Sequence, residues 1–522
     1  MKKLTLLLCF VSFLTKAQNI TVASGKSFTI EKTGSVTMSG NFSNAGSFTL
    51  NSDSNEFSSI IIGGSVTGNI TYNRYVNSVG TNEWDLIGSP VSGQSINSFV
   101  SANASTLATN GNTYAIGFYN NSNNTWTNFT SSDLEGEEGS INFPVGLGFQ
   151  MGTIANGTGI LSFTGSPAAT NQTWGIINSD AESSGEGTRW NLVANPFPSY
   201  IHANANADSS NNFLTVNSDK LDDSYEAIYG YDADGIGSQY TVYNNTSAAL
   251  RLAPGQAFMV ASDNTDDDTV SFTTAMRTIA GGDDLIVGRD PVDSFELVLK
   301  LYEGDTEIDH TKFYFGDGLS LNLDPGYDAG HFNQGASLMS RLVEEDEGVG
   351  LVINAMGLES ANDVVVPLEI NRETGNNFRI SIGTFNIDTG TNIYLEDNIQ
   401  GTMTLLNDQD FELTAENELS GAGRFFIHLT ESVLSTDNNL DTNYLNVFKA
   451  DVNNFITVEG LANQSNLTKL RLYTILGKEV ISATLNTTNN KQIISTQGLS
   501  PGIYIVKLES GNILLTKKLF IK

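Results

Sequence analysis

Side chains able to perform acid–base or nucleophilic chemistry are either scarce in this sequence or too numerous to be told apart. Only four histidines occur, and none is paired at the spacing of metal ligands. The single cysteine, Cys9, lies close to the start. The 58 aspartates and glutamates include many candidates for the two carboxylates of a glycosidase, but no pair stands out. The sequence therefore predicts no catalytic residue and favours a binding protein over an enzyme.

Two aspartate-rich segments carry the oxygen ligands that calcium prefers. Asp232 and Asp234 precede a Gly-Ile-Gly turn, and a second acidic segment spans 263–268. Neither segment matches a complete calcium loop, which ends in a glutamate. Calcium at Asp232 and Asp234 is the one cofactor that the sequence suggests, and an ordinary turn is the alternative.

Aromatic side chains offer a different kind of site, because an exposed ring on a β-module can stack on a sugar. Trp126 and Trp174 lie among asparagines and threonines and are the better exposed candidates. Trp84 and Trp190 lie in apolar strands, so we expect them in the core. The sequence thus predicts glycan stacking at Trp126 and Trp174.

Composition limits the classes of partner. Of the 522 residues 39% are hydrophobic, which is enough to form cores, while charged residues make up only 16%. The formal net charge of −32 argues against a nucleic-acid surface, which needs clustered lysine and arginine. Alternating apolar and polar residues between Gly, Asn, Asp and Ser turns predict an all-β, multidomain chain.

The start of the chain has the pattern of an export signal. Lys2 and Lys3 precede an apolar run over 4–14, and a small-x-small site ends at Ala17. The run is shorter than the ~20 residues of a membrane span. We predict a secretory signal peptide over 1–17, no transmembrane segment, and a mature protein without cysteine.

Internal repeats organise the next part of the chain. Residues 18–75 repeat a glycine followed by an alternating strand, which predicts a short β-solenoid or a meander. Residues 76–280 contain a longer duplication, with two modules at about 76–175 and 176–280. The matching stretches are 84–90 with 190–196, 118–119 with 230–231, 144–151 with 253–260, and 162–164 with 271–273. Residues 292–432 predict a separate β-sandwich, and 433–444 a polar linker.

The last 78 residues differ from the rest in charge. From 445 onwards the chain has nine basic and four acidic residues, although the whole chain is strongly acidic. Short strands alternate with glycine turns, as in a small sandwich. The segment resembles the type A C-terminal sorting domain of type IX secretion system cargo, found in Bacteroidota. The matching residues, which the resemblance marks as the sorting signal, are Leu472, Gly477, Lys478, Gly502, Tyr504, Lys517 and Lys518.

The resemblance implies an Ig-like sandwich that directs cargo from the periplasm through the outer membrane. It also implies a translocon and a sortase-like peptidase as partners, followed by release or attachment to surface lipopolysaccharide. We therefore predict an extracellular or outer-surface protein, most simply an adhesin or glycan-binding protein. The alternatives are a polysaccharide hydrolase with an unidentified carboxylate pair, and a structural stalk or surface-layer protein.

Overall fold

The architecture is almost entirely β. The computed structural model describes residues 18–79, 84–136, 140–179, 187–231, 240–263, 268–279, 281–282, 295–332, 335–387, 390–431, 445–449, 455–474, 478–500, 502–511 and 513–521. Strands make up 51% of the structure and helices 8%, so the all-β, multidomain prediction is confirmed. The predicted signal peptide at 1–17 and the predicted linker at 433–444 lie outside the described residues.

The first segment is a parallel solenoid. Its strands stack in three parallel columns, β1-β4-β7, β2-β5-β8 and β3-β6, so the chain climbs in rungs and does not fold back as a meander. Phe28 and Phe48 stack on neighbouring rungs, 5.0 Å apart. The strands are β1 Ile20–Val22, β2 Ser27–Ile30, β3 Ser35–Met38, β4 Phe42–Asn44, β5 Ser47–Asn51, β6 Ser59–Ile62, β7 Val66–Thr67 and β8 Ile70–Tyr75.

The first module follows and shares a sheet with the solenoid. Its last strand, β14, pairs antiparallel with β8, while β8 also pairs parallel with β5. The predicted boundary between the first segment and the first module, at residue 75, therefore falls within one continuous sheet. The elements are β9 Asp85–Ile87, α1 Ile96–Ala102, β10 Thr109–Asn110, β11 Thr113–Asn120, β12 Thr125–Thr130, α2 Ser131–Glu135, β13 Phe149–Met151 and β14 Ile160–Gly165.

The second module has the same strand order as the first. Its sheet runs β19-β18-β21-β16, which matches β12-β11-β13-β9, and its entry strand β15 pairs with β22 as β8 pairs with β14. Strand β15 crosses the predicted division at 175/176. The elements are β15 Gln172–Ile176, β16 Trp190–Ala194, β17 Tyr200–His202, α3 Phe213–Asn217, β18 Ile228–Tyr231, β19 Tyr240–Tyr243, β20 Arg251–Leu252, β21 Ala257–Ala261, β22 Asp268–Phe272 and β23 Arg277–Thr278.

The two modules contact each other reciprocally. Gly88 N–H donates to Gly255 O at 2.8 Å, and Ala194 N–H donates to Gly146 O at 2.8 Å. Gly88 matches Ala194 in the repeat, and Gly146 matches Gly255. Each module thus presents the same two positions to the other, which is the geometry of a two-fold dimer interface built within one chain.

Residues 295–431 form the curled-sheet domain. One sheet runs β32-β31-β34-β29-β27-β28-β25-β24-β30-β33, with β26 beside β28. Rings of Phe378 on β30 and Phe411 on β33 meet Phe425 on β34, so the two ends of the sheet close around one core. The strands are β24 Glu296–Glu303, β25 Thr306–Gly316, β26 Ala329–Gly330, β27 Ser337–Ser340, β28 Leu351–Gly357, β29 Asp363–Asn371, β30 Asn377–Asn386, β31 Asn392–Asp397, β32 Thr402–Leu405, β33 Phe411–Thr414 and β34 Ala422–Thr430.

The last part of the chain is a two-sheet sandwich. A three-stranded sheet, β35-β36-β39, packs on a four-stranded sheet, β38-β37-β40-β41. Its core includes Val458, Leu472 and Val506, each with no exposed surface. The strands are β35 Asn446–Phe448, β36 Phe455–Glu459, β37 Thr468–Thr474, β38 Glu479–Leu485, β39 Gln492–Ser495, β40 Gly502–Ser510 and β41 Ile513–Ile521.

Candidate functional site

The hairpin β11–β12 places two aromatic rings side by side. Tyr119 and Trp126 lie opposite each other in the strand register, and their ring centroids are 5.2 Å apart. The turn between the strands is Asn-rich, and Asn124 adopts a φ of 53°, a conformation that asparagine tolerates well. The Tyr119 hydroxyl donates to Asn124 Oδ1 at 2.9 Å and lies 2.8 Å from Thr188 Oγ1. These bonds fix the plane against which Trp126 rests.

The second module repeats this pair. Tyr231 on β18 lies opposite Tyr240 on β19, with centroids 5.5 Å apart. Burial raises the pKa of Tyr240, and the neighbouring Tyr231 and Tyr119 raise it further. The rings of both modules therefore belong to one group, which we call the aromatic cluster: Tyr119, Trp126, Trp190, Tyr225, Tyr229, Tyr231, Tyr240 and Phe332.

One part of the aromatic cluster is a contact between domains. Phe332 of the curled-sheet domain lies 4.1 Å from Tyr240 and 4.4 Å from Trp190, centroid to centroid. We expected Trp190 in the core of its module, and it is only partly buried, on the opposite face of β16 from the buried Val193. The Trp126 ring lies against the Tyr119 ring, and the Trp126 side chain also packs on the buried residues of this cluster.

The two tryptophans predicted to stack on sugars are not brought together. Trp126 is half-buried in the aromatic cluster, as described above. Trp174, also half-buried, lies on β15 opposite Val270 and packs on the core of the second module. A Cβ on Gly146 would lie 3.0 Å from the Trp174 Cβ, so the first module covers this side chain closely. The geometry leaves Trp126 as the better placed of the two for a ligand.

The suggested calcium ligands, Asp232 and Asp234, lie outside the described residues. Within the described ranges, no group of three histidine, cysteine or carboxylate side chains is arranged to hold a metal ion. Calcium binding therefore stays a prediction of the sequence.

Buried carboxyl groups occur where the second module meets the curled-sheet domain. Burial and the nearby Asp223 raise the pKa of Glu226 to about 7. Burial likewise raises the pKa of Asp328 to about 7, although backbone N–H groups of Ala355 and Asp324 donate to it. A Cβ on Gly326 would lie 3.0 Å from Glu226 Oε1, so this loop lies directly against the carboxyl group. Sequence reasoning did not single out either acid.

Two histidines are paired with carboxylates inside the curled-sheet domain. His331 Nε2 lies 2.9 Å from Asp309 Oδ2, which also accepts the N–H of Leu338. His428 Nε2 lies 2.7 Å from Glu396 Oε2. Both rings are at least 95% buried. The His428–Glu396 pair links the neighbouring strands β34 and β31.

A cavity of about 400 Å³ lies in the first module beside α1 and α2. Its lining includes Tyr114, Leu134 and one carboxylate, Glu135. A glycosidase needs two carboxyl groups across the scissile bond, and the lining that the structure describes for this cavity supplies one.

The predicted sorting residues divide into structural and exposed positions. Leu472 is fully buried, and Tyr504 is 7% exposed with its hydroxyl donating to Ser500 O at 2.8 Å. This bond to the backbone just upstream resembles the tyrosine corner of Ig-like sandwiches. Lys478 is exposed at the turn after β37, where its N–H donates to Thr474 Oγ1.

The remaining sorting residues lie on the last two strands or outside the described part. Gly502 begins β40 and pairs with Ile521. Lys517 is partly buried, its Nζ lies 3.5 Å from Asn446 Oδ1, and burial lowers its pKa. Lys518 pairs through its backbone with Ile505, and Gly477 lies outside the described residues.

The seven-stranded sandwich with its tyrosine corner defines an Ig-like C-terminal domain. Residues 450–522 match the family model described as "Secretion system C-terminal sorting domain". The protein is thus cargo of the type IX secretion system, which exports it from the cell, as the resemblance of the sequence predicted. Such cargo interacts with the secretion machinery.

The rest of the chain belongs to one family. Residues 10–429 match the model described as "Domain of unknown function (DUF8693)", and the chain belongs to this family. The match runs from the solenoid through both modules to the end of the curled-sheet domain. Among curated proteins, none matches this chain. No helix in the described ranges is long and apolar enough to cross a membrane.

Proposed function

We propose that this exported protein binds glycans or a similar polar surface outside the cell through the Trp126 and Tyr119 rings. The observation that carries the proposal is the geometry of these rings. They stand side by side on a hairpin, half-buried, with an Asn-rich turn and Thr188 beside them. A flat apolar ring bordered by hydrogen-bonding groups matches the two kinds of surface on a sugar ring.

The remaining steps of the proposal are export, cleavage, and release or attachment, which the presence of a sorting domain implies. A signal peptide at 1–17 would take the chain to the periplasm, and the type IX machinery would take it across the outer membrane. A sortase-like peptidase would then remove 445–522, and the passenger would be released or attached to lipopolysaccharide. The sorting-domain match supports the export step among these.

A glycan array with the full-length secreted protein tests the binding step. We expect binding that falls about five- to tenfold in Trp126→Ala, because losing one stacked ring removes on the order of 1 kcal/mol. Thr127→Ala is the matched control, since Thr127 is the next residue on β12 and is exposed. Tyr119→Phe keeps the ring but loses the two hydrogen bonds that fix its plane, so we expect a smaller loss of binding than in Trp126→Ala.

Two results would contradict the proposal. One is an array on which the folded protein binds no glycan. The other is a bound glycan whose affinity is the same for the wild type and for Trp126→Ala. Repeating the array with calcium and with a chelator tests Asp232 and Asp234, since binding that needs these residues should be lost with the chelator.

A further inference from the structure

A buried arginine lies where the curled-sheet domain meets the sorting domain. Arg341 follows β27 and is 1% exposed. Its guanidinium reaches Asp346 at 3.0 Å and Glu369 at 2.9 Å, both in the curled-sheet domain. Glu459 of the sorting domain lies 3.6 Å from Arg341 Nη1 and has no exposed side-chain surface. Burying a charged side chain costs free energy that is recovered only when opposite charges and hydrogen bonds pair with it. These contacts therefore mark a specific interface.

Further polar contacts join the same two faces. Asn446 Nδ2 donates to Asp346 Oδ2 at 2.6 Å, and Asn463 Nδ2 donates to Gly423 O at 2.6 Å. The N–H of Ala422 donates to Glu459 Oε2 at 3.2 Å. Each bond links a side chain of the sorting domain to the curled-sheet domain. The interface is therefore organised by several directional bonds around Arg341.

Shape complements these bonds. The Arg341 guanidinium lies over the Phe448 ring, with its Cζ 4.6 Å from the ring centroid. A Cβ on Gly348 would come within 2.0 Å of Phe448, and a Cβ on Gly421 within 3.2 Å of Glu459 Oε1. The curled-sheet domain thus has glycines where the sorting domain approaches most closely.

Both faces keep an ion pair when they separate. Arg341 retains Asp346 and Glu369, and Glu459 retains Lys491 of its own domain at 3.1 Å. Each hydrophobic core is also made of residues from one domain alone. These properties are typical of an interface between two domains that fold separately. Two domains that shared a single hydrophobic core would not have them.

We propose that the curled-sheet domain is a binding partner of the sorting domain, which stays attached noncovalently after the chain between Glu431 and Leu445 has been cut. Cleavage and release are then separate steps. The passenger would leave the peptidase with its sorting domain still docked on Arg341, until another partner or dilution removes it.

The test uses the full chain with a specific protease site inserted between Asn438 and Asn439. After complete cleavage, size-exclusion chromatography at micromolar concentration should give one peak that contains both fragments. Fragments of the wild type that elute separately would overturn the proposal.

Point variants show whether the assigned contact holds the fragments together. Glu459→Gln keeps the shape and removes the charge facing Arg341, and we expect it to bind about 30-fold more weakly or worse. Lys469→Met removes an exposed cation of the sorting domain on β37 and should behave as the wild type within about threefold.

Each uncut variant should have the same melting curve as the uncut wild type. This excludes unfolding as the cause of weaker binding between the fragments. If the cleaved Glu459→Gln fragments stay bound as tightly as those of the wild type, the assignment to Arg341 and Glu459 is wrong.

Discussion

The side-chain amide of Asn217 brackets the backbone of Ser271. Asn217 Oδ1 accepts the N–H of Ser271 at 2.7 Å, and Asn217 Nδ2 donates to Ser271 O at 3.1 Å. Asn103 makes the same two bonds to Ser162 in the first module, at 2.8 and 3.1 Å. In both modules the asparagine stands at the end of the short helix and bonds the strand that pairs with the entry strand, β14 in the first module and β22 in the second. The duplicated modules therefore use one side chain to fasten helix to sheet.

Asn217→Ala should destabilise the second module. The substitution leaves the partly buried N–H and carbonyl of Ser271 without side-chain partners, which costs about 1–3 kcal/mol of unfolding free energy. Denaturant unfolding followed by tyrosine and tryptophan fluorescence measures the change. Ser210→Ala, at an exposed position three residues before the helix begins, is the control and should change little. Equal stability of the two variants would show that the bracket contributes nothing.

Glu226 should make the protein less stable as the pH rises. Its pKa is raised from 4.5 to about 7 in the folded state, so between these values the folded chain holds more protons than the unfolded chain. Stability from this group is therefore complete below pH 4.5 and is lost as the pH rises from 4.5 through 7, by on the order of 2–3 kcal/mol.

Melting temperatures at pH 5 and pH 8 test the role of Glu226. Glu226→Gln should lose less stability than the wild type between the two pH values, because glutamine does not titrate. Glu135→Gln, at an exposed position, should follow the wild type. A Glu226→Gln variant with an unchanged pH dependence would refute this prediction.

Gly88→Ala should weaken the contact between the two modules. A Cβ at Gly88 would lie 2.3 Å from the Ala194 Cβ and 2.7 Å from Leu147 O, and backbone atoms cannot move aside. We expect a loss of about 1–3 kcal/mol on unfolding. Gly175→Ala is the matched control in strand β15, because its Cβ would meet nothing closer than 3.7 Å. Similar melting temperatures for both variants would argue against a tight contact.

Lys478→Ala should separate recognition of the sorting domain from its folding. The side chain is exposed and its substitution by alanine leaves the core intact, so the melting temperature should not change. We expect Lys478→Ala to lower the secreted amount severalfold if the turn is read by the export machinery. Leu472→Ala, in the core, should reduce both stability and secretion, the former by about 2–5 kcal/mol. Normal secretion of Lys478→Ala would remove this residue from the signal.

Local patterns in the sequence were sufficient for the strands and the repeats. Period-two alternation needs only neighbouring residues, so β24, β30 and β40 are visible in the sequence. The matching stretches at 84–90 and 190–196 lead to strands with the same neighbours in both sheets. The sorting-domain motif is likewise local, since its turn and strand residues follow each other within about fifty positions.

The candidate site could be predicted only in part. Trp126 stood out because polar residues surround it in the sequence, yet nothing local indicated that Tyr119 would lie against it or that Phe332 would cover Trp190. Arg341 interrupts an apolar stretch, 338–343, which is the one signal that could have marked it as a buried cation.

The sequence by itself determined the β-class, the duplication and the export domain, because these depend on periodicity and on short motifs. Only the tertiary structure decided which strands pair in parallel and which carboxyl groups lose their water. It also decided that Arg341 would meet Glu459, 118 positions further along the chain. The physical reason is that burial and electrostatic pairing depend on distances in space, and these distances are set only when distant segments pack together.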